Sequence, residues 1–271
     1  MYKIFYYLLC SFLLLTSCEF QKPAFRFSNF EGTAAERIAK AIKQNDTATI
    51  RKEIQTKKVD IDFKDKKYEI SLLTLALANE KKNAFDMLLK LGANPNIENS
   101  YCGIPLNSAI RYHKDCDLYF IEQLLENGAN ITPRLFERCN YFDYDPITEA
   151  ILYHFEEDKV SCGLEILKLL TDKLDNPNLL SMYNNEKDRQ ANIINVCLST
   201  HWNIPALKYL IVDLGYEVPE QVFIDGTILP QHHGYKSLRY VLEHSSYEFN
   251  SPYREKAKQE ILAYLDKQGI K

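Results

Sequence analysis

Two apolar stripes, separated by a short polar interval, recur along this chain. In residues 71–96, SLLTLALANEKKNAFDMLLKLGANPN, Leu73 and Ala76 stand three apart and give a first short helix a small apolar face. Phe85, Leu88 and Leu89 follow at helical spacing and give a second helix one buried stripe. Gly92 comes directly after that stripe, where a helix ends in a left-handed residue that glycine adopts at little cost. Pro95 then bars continuation, because it lacks an N–H and restricts the residue before it. The pattern predicts a helical hairpin. A hairpin this small cannot bury both faces alone, and needing a neighbour on each side is the physical mark of a repeat.

Residues 103–132, GIPLNSAIRYHKDCDLYFIEQLLENGANIT, supply such a neighbour. Pro105, Leu106 and Ala109 answer Leu72, Leu73 and Ala76; Ile121, Leu124 and Leu125 answer Phe85, Leu88 and Leu89; Gly128 answers Gly92. The two copies resemble ankyrin repeats, whose pattern runs T-P-L-H-x-A and then V-x-x-L-L-x-x-G-A-D-x-N. The match is specific in the second half of each copy and departs at its start, where Thr74 and Asn107 stand in place of the family's His. That resemblance implies an all-α fold, an ankyrin-repeat solenoid of about six helical hairpins, and binding of partner proteins through turn tips and first helices.

The remaining hairpins are read around these two. Residues 34–65 predict a capping repeat, with Ile38, Ala41 and Ile42 facing one way. Its second helix spans residues 47–55, with Asp46 as N-cap. Asp145 to Ile151 resembles another T-P-L-H-x-A start, followed by a long interval over 153–163. A helix over 164–173 comes next, with Ile166, Leu169 and Leu170 on one face. Ile193, Val196 and Cys197, then Leu207, Leu210 and Ile211, predict the next pair, closed by Gly215. Residues 236–245 and 253–267 form a last hairpin, with Ile261, Tyr264 and Leu265 inward and Gly269 at its end.

The first residues obey a different logic. Lys3 precedes an apolar run over 4–15 that is too short to span a bilayer as a stable helix. Leu15-Thr16-Ser17-Cys18 resembles the bacterial lipobox, which implies a signal peptide over 1–17 and an acylated Cys18. Glu19 rather than Asp after the Cys implies the outer membrane, by resemblance to the enterobacterial sorting rule. Residues 18–33 read as a tether that carries Phe20, Phe25, Phe27 and Phe30, some of which are expected to cover the first hairpin, and 34–271 as the repeat domain.

Composition changes this picture little. The net charge of −4, or −5 without residues 1–17, gives no electrostatic case for nucleic acid. Cys102, Cys116, Cys139, Cys162 and Cys197 show no zinc spacing; an exported chain could pair some of them, with Cys102 and Cys116 one candidate, and Cys197 falls on a core face. His232-His233, His154 beside Glu156, Glu157 and Asp158, and Asp143 with Asp145 are the places where catalysis or a metal could reside, but each reads as solvated loop or helix-start chemistry. No Gly-rich phosphate loop and no G-x-S-x-G motif occurs. No catalytic residue, metal or cofactor is therefore expected. Tyr68, Tyr101, Tyr112, Tyr141, Phe142 and Tyr144 fall at the turn tips and first helices, with Trp202 further on, and such aromatic side chains are enriched in binding hot spots. The expectation is a monomeric, lipid-anchored envelope module that binds a protein partner through Tyr68, Tyr101, Tyr112, Tyr141, Tyr144 and Trp202. An inhibitor or immunity protein that neutralises a secreted toxin or hydrolase is the second reading.

Overall fold

The computed structural model describes residues 23–56, 58–100, 103–112, 116–131, 146–152, 160–174, 193–199, 203–224, 234–244 and 252–270. They fall into two compact units, residues 1–93 and 94–271. Among the described residues, six helix pairs follow one another along the chain, two in the first unit and four in the second. This is the paired-helix, all-α architecture expected of ankyrin-type hairpins.

The first unit begins with two short 3-10 turns, Pro23–Phe25 and Phe27–Phe30. Phe25 and Phe30 are buried there, as expected of aromatic residues that cover a hairpin, and the Phe30 ring lies 6.3 Å from that of Phe63. Helix α1 (Glu36–Gln44) buries Ile38 and Ile42 completely, and α2 (Thr47–Gln55) buries Ile50. Asp46 accepts the Thr49 N–H at 3.1 Å and so caps α2 where the sequence places the cap. Helices α3 (Leu72–Ala78) and α4 (Lys82–Lys90) bury Leu72, Leu73 and Ala76 against Phe85 and Leu88.

The turns between paired helices follow one design. Asn45 and Glu80 both adopt left-handed backbone, at φ 58° and 55°. The next N–H in each case reaches five residues back, from Asp46 to Ala41 at 2.8 Å and from Lys81 to Ala76 at 2.9 Å. These bonds satisfy carbonyls that a helix end leaves open. Asn45 does more, because its Oδ1 accepts the Ala84 N–H at 2.9 Å, an orphan donor in the first turn of the neighbouring α4.

The second unit opens with α5 (Pro105–Tyr112) and α6 (Tyr119–Glu126), joined through Cys116, again left-handed at φ 56°. Then come α7 (Pro146–Leu152) with α8 (Val160–Asp172), α9 (Ile193–Ser199) with α10 (Ile204–Lys208), and α11 (Leu238–His244) with α12 (Pro252–Gln268). The expected inward residues Ile193, Val196, Cys197, Leu207, Leu210, Ile211, Ile261 and Leu265 are buried.

Several expectations need correction. Helix α8 starts at Val160 rather than at 164, and its core face is Ile166, Leu167 and Leu170; Leu169 is only half-buried. Its earlier start lets Cys162 enter the core beside them. Tyr264 and Leu125 are likewise half-buried at the edge of their stripes. Helix α10 continues into a π-helical turn, Tyr209–Asp213, which adds a residue before Gly215. The Thr171 and Tyr209 hydroxyls meet there at 2.7 Å. Lys236 lies in a strand, not in the last hairpin: β1 (Val222–Ile224) pairs antiparallel with β2 (Gly234–Lys236), with Phe223 opposite Tyr235. Asn195 of α9 accepts the Phe223 N–H at 3.3 Å and ties this ribbon down. Cys116 is joined to Cys162 in a disulfide, with Cα atoms 5.6 Å apart, rather than approaching Cys102, which lies outside the described residues.

Candidate binding surface

The turn before α3 is built by one buried side chain. Asp65 is 1% exposed, and its carboxylate takes three backbone N–H groups: Lys67 and Tyr68 at Oδ1 and Ile70 at Oδ2, each at 2.8 Å. An ionised carboxylate satisfies several orphan amides at once, which is why a short acidic side chain suits such a turn. The Asp65 N–H in turn donates to the Ile70 carbonyl at 3.0 Å, Lys64 and Ser71 form an antiparallel bridge, and Leu72 N–H reaches the Phe63 carbonyl at 3.3 Å. Ser71 then caps α3 through the Thr74 N–H at 3.1 Å.

This framework displays a small tip. Lys66 and Lys67 are exposed, and Tyr68 is half-buried with the Lys67 ammonium 4.9 Å from its ring centroid. A cation over an aromatic face is mildly attractive. Lys64 and Glu69 approach to 3.7 Å across the same turn, and Glu69 is left-handed at φ 53°. The cluster at 64–68, legible in sequence as a basic run ahead of a Tyr, is thus an ordered turn held from inside by its one acid.

In the second unit, the turn after residue 94 is held by an asparagine. Asn96 Oδ1 accepts the Asn130 N–H at 2.6 Å, and its Nδ2 donates to the Gly128 carbonyl at 2.9 Å. Asn99 closes the following loop, accepting the Gly103 N–H at its Oδ1 (3.2 Å) while its own N–H donates to the Gly103 carbonyl (3.0 Å). Tyr112 sits half-buried at the end of α5. Its neighbour Arg111 makes a bidentate pair with the fully buried Glu149 of α7. Thr74 and Asn107, the expected substitutes for the family's His, make local bonds: Thr74 with the Ser71 hydroxyl at 3.1 Å, and Asn107 Oδ1 with the Ile104 N–H at 3.2 Å.

Of the expected contact residues, Tyr68 belongs to the first unit and Tyr112 to the second. Tyr101, Tyr141, Phe142, Tyr144 and Trp202 lie outside the described residues, as do Cys18, Cys139, His154, His232, His233, Asp143 and Asp145. Asp65 and the Arg111–Glu149 pair were missed in the sequence; the signal for Asp65 was a lone acid inside a basic run before a capping Ser. Among the described residues no three His, Cys, Asp or Glu side chains gather to hold a metal ion. Cys197 is buried, and desolvation pushes its thiol far above the ordinary range, away from nucleophilic use. No described helix is long and apolar enough to cross a membrane.

No protein-family model matches the sequence, and no curated protein matches it at a significant level. Among solved structures, the chain is similar to the human ASB11 ankyrin repeat domain, at 19% identity over 66% of this chain and 69% of that one, with a TM-score of 0.44.

Proposed function

We propose that this chain is a non-catalytic protein-binding module, held at the bacterial envelope by a lipidated Cys18 and seated at the outer membrane. The observation that carries the binding reading is the turn at 65–70. Three backbone N–H groups converge on the buried Asp65, and the product of that order is a presented tip of Lys66, Lys67 and Tyr68. A tip that is ordered before contact loses little conformational freedom on binding, so more of the contact energy appears as affinity. The anchor reading is supported by the short apolar run and the small residues before Cys18. Acyl chains contribute about 0.8 kcal/mol per buried CH₂, and more than one makes anchoring stable.

The test is a capture experiment from detergent-solubilised membranes with the full-length chain as bait, run beside Tyr68→Ala and Tyr112→Ala. One dominant protein, retained by wild type and depleted in a tyrosine variant, supports the reading. A captured protein indifferent to both variants removes the proposed surface. If the captured protein is a secreted toxin or hydrolase whose activity falls on binding, the module acts as its inhibitor or immunity protein.

A further inference from the structure

The charge of the chain is divided unevenly. Residues 1–93 carry 16 Lys and Arg against 11 Asp and Glu, whereas residues 94–271 carry 17 against 26. Within the first unit, several of the acids are engaged. Asp65 is buried in its turn, and Asp46 holds the Thr49 N–H and hydroxyl. Glu36 takes the Gly32 N–H and the Lys40 ammonium, and Glu53 is buried 3.2 Å from Arg37. The cations are turned outward: Arg26, Lys43, Arg51 and Lys52 are all exposed. Lys43 lies over one aromatic ring whose chain neighbour is Arg26. Phe27 follows Arg26 in the chain, is half-buried, and has the Lys43 ammonium 6.0 Å from its centroid. Glu31 is the exposed acid of this stretch, and Glu36 is drawn below the usual carboxylate range chiefly by its bond from Lys40.

The position of this patch along the chain matters. Pro23, the first residue of the described turns, stands five positions after Cys18. A segment of that length reaches at most roughly 18 Å, and the screening length in physiological salt is about 8 Å. An anchored Cys18 therefore keeps Pro23 within a few screening lengths of headgroups, and Arg26 and Phe27 follow it three and four residues on. We propose that this patch seats on the anionic phospholipid headgroups of the bilayer that holds Cys18; the inference rests on the lipid-anchor reading above. A half-buried ring with one cation over it and another beside it in the chain suits that interface, where aromatic side chains sit at headgroup level and basic residues meet phosphate. Each cation brought to an anionic surface raises partitioning on the order of fivefold. A lipid chain together with a basic patch fixes orientation as well as residence.

The test uses the chain from residue 18 onward with Cys18→Ser, sedimented with phosphatidylcholine vesicles that either lack or contain phosphatidylglycerol. The expected result is binding only where phosphatidylglycerol is present, declining as salt is raised. Arg26→Glu with Lys43→Glu lowers that binding on the order of twentyfold or more, whereas Lys256→Glu, on an exposed position of α12, leaves it unchanged. Equal binding to both vesicles, or indifference to the Arg26/Lys43 pair, overturns the proposal. Circular dichroism reports whether the double variant folds; if it does not, the wild-type salt titration decides, and salt-independent or absent binding overturns the seat. Acyl labelling of the full-length chain in cells separates the two readings. Label on Cys18 without phosphatidylglycerol binding overturns the seat alone, and absence of label overturns the anchor and the seat with it.

Discussion

Arg111 grips Glu149 with one edge of its guanidinium, Nε to Oε1 at 2.6 Å and Nη2 to Oε2 at 2.5 Å, across 38 residues of sequence. Glu149 is fully buried, while the Arg111 side chain keeps 24% of its surface in water. The pair joins the first helices of two successive hairpins, α5 and α7. Removing one partner of a buried pair strands the other charge, whereas replacing both with apolar groups is often neutral or better. Arg111→Met is therefore expected to cost about 3–5 kcal/mol in urea unfolding. Arg111→Met with Glu149→Met should recover most of that loss. A double variant as unstable as the single would show that the pair is not what Glu149 depends on.

Asn96 performs the same service for the turns. Its amide exchanges two bonds with residues 32 and 34 positions on, Gly128 and Asn130. Asn96→Ala should cost roughly 1–3 kcal/mol, two modest hydrogen bonds and any amide left dry. Asn96→Asp keeps the acceptor for Asn130 N–H and loses the donor to Gly128, so it should fall between wild type and Ala. Amide exchange at Asn130 is the local readout, and unchanged protection in Asn96→Ala would contradict the assignment.

The cysteines give a chemical prediction. Peptide mapping without reductant should recover the Cys116 peptide linked to that of Cys162. Cys197, buried in α9 with its thiol held protonated by desolvation, should react with thiol reagents only after unfolding. Cys162→Ser should cost roughly 3–4 kcal/mol for a cross-link enclosing 46 residues of separation. Such a bond persists in an oxidising compartment. Recovery of a Cys102–Cys116 peptide instead would replace this pairing with the candidate weighed from sequence.

Asp46 supplies a pH dependence with a definite sign. The Thr49 hydroxyl at 2.6 Å, and then the Thr49 N–H, hold its carboxyl below the ordinary value. A depressed carboxyl contributes stability above its unfolded pKa, about 3.9, and that contribution is lost as pH falls through the lower folded value. Thr49→Ala removes the hydroxyl donor. Its stability should lie below wild type at neutral pH, and the difference should shrink as pH is lowered below about 4. A gap that widens in acid would show that Asp46 is not the group responsible.

Backbone punctuation was the most legible part of the fold. Gly92, Gly128, Gly215 and Gly269, each placed by the sequence at the end of an apolar stripe, all adopt positive φ, from 69° to 94°. A Cβ at Gly92 or Gly128 would meet nothing within 4 Å, so the requirement there is conformational rather than steric. The same local logic found Asp46 and the span of α2. What escaped was long-range and polar. Glu149 occupies a slot that the repeat pattern leaves unspecified, and only the placement of Arg111 turns it into a buried partner. The buried face of α8 runs through Cys162, Ile166 and Leu170 at four-residue spacing with Leu167 beside them, which leaves Leu169 at its edge, and the start at Val160 that brings Cys162 into the stripe carried no signal in the expected span. The β1–β2 ribbon has three-residue strands, too short for alternation to show. In the candidate surface, Tyr68 was legible as an aromatic at a turn tip, whereas Asp65 was hidden because its three bonds go to backbone, which carries no sequence signature.

The proposed role of the Asp65 turn is to present a protein-binding tip. Its most direct test is the dissociation constant of the captured partner for wild type, Tyr68→Ala and Asp65→Ala, with folding monitored by circular dichroism. Asp65→Ala should stay folded while giving up roughly 1–3 kcal/mol of stability, as the amides of Lys67, Tyr68 and Ile70 lose their acceptor. Both variants should weaken binding at least tenfold, Tyr68→Ala by removing a contact and Asp65→Ala by releasing the tip that holds it. Wild-type affinity in both folded variants would contradict the claim and place the partner elsewhere on the chain.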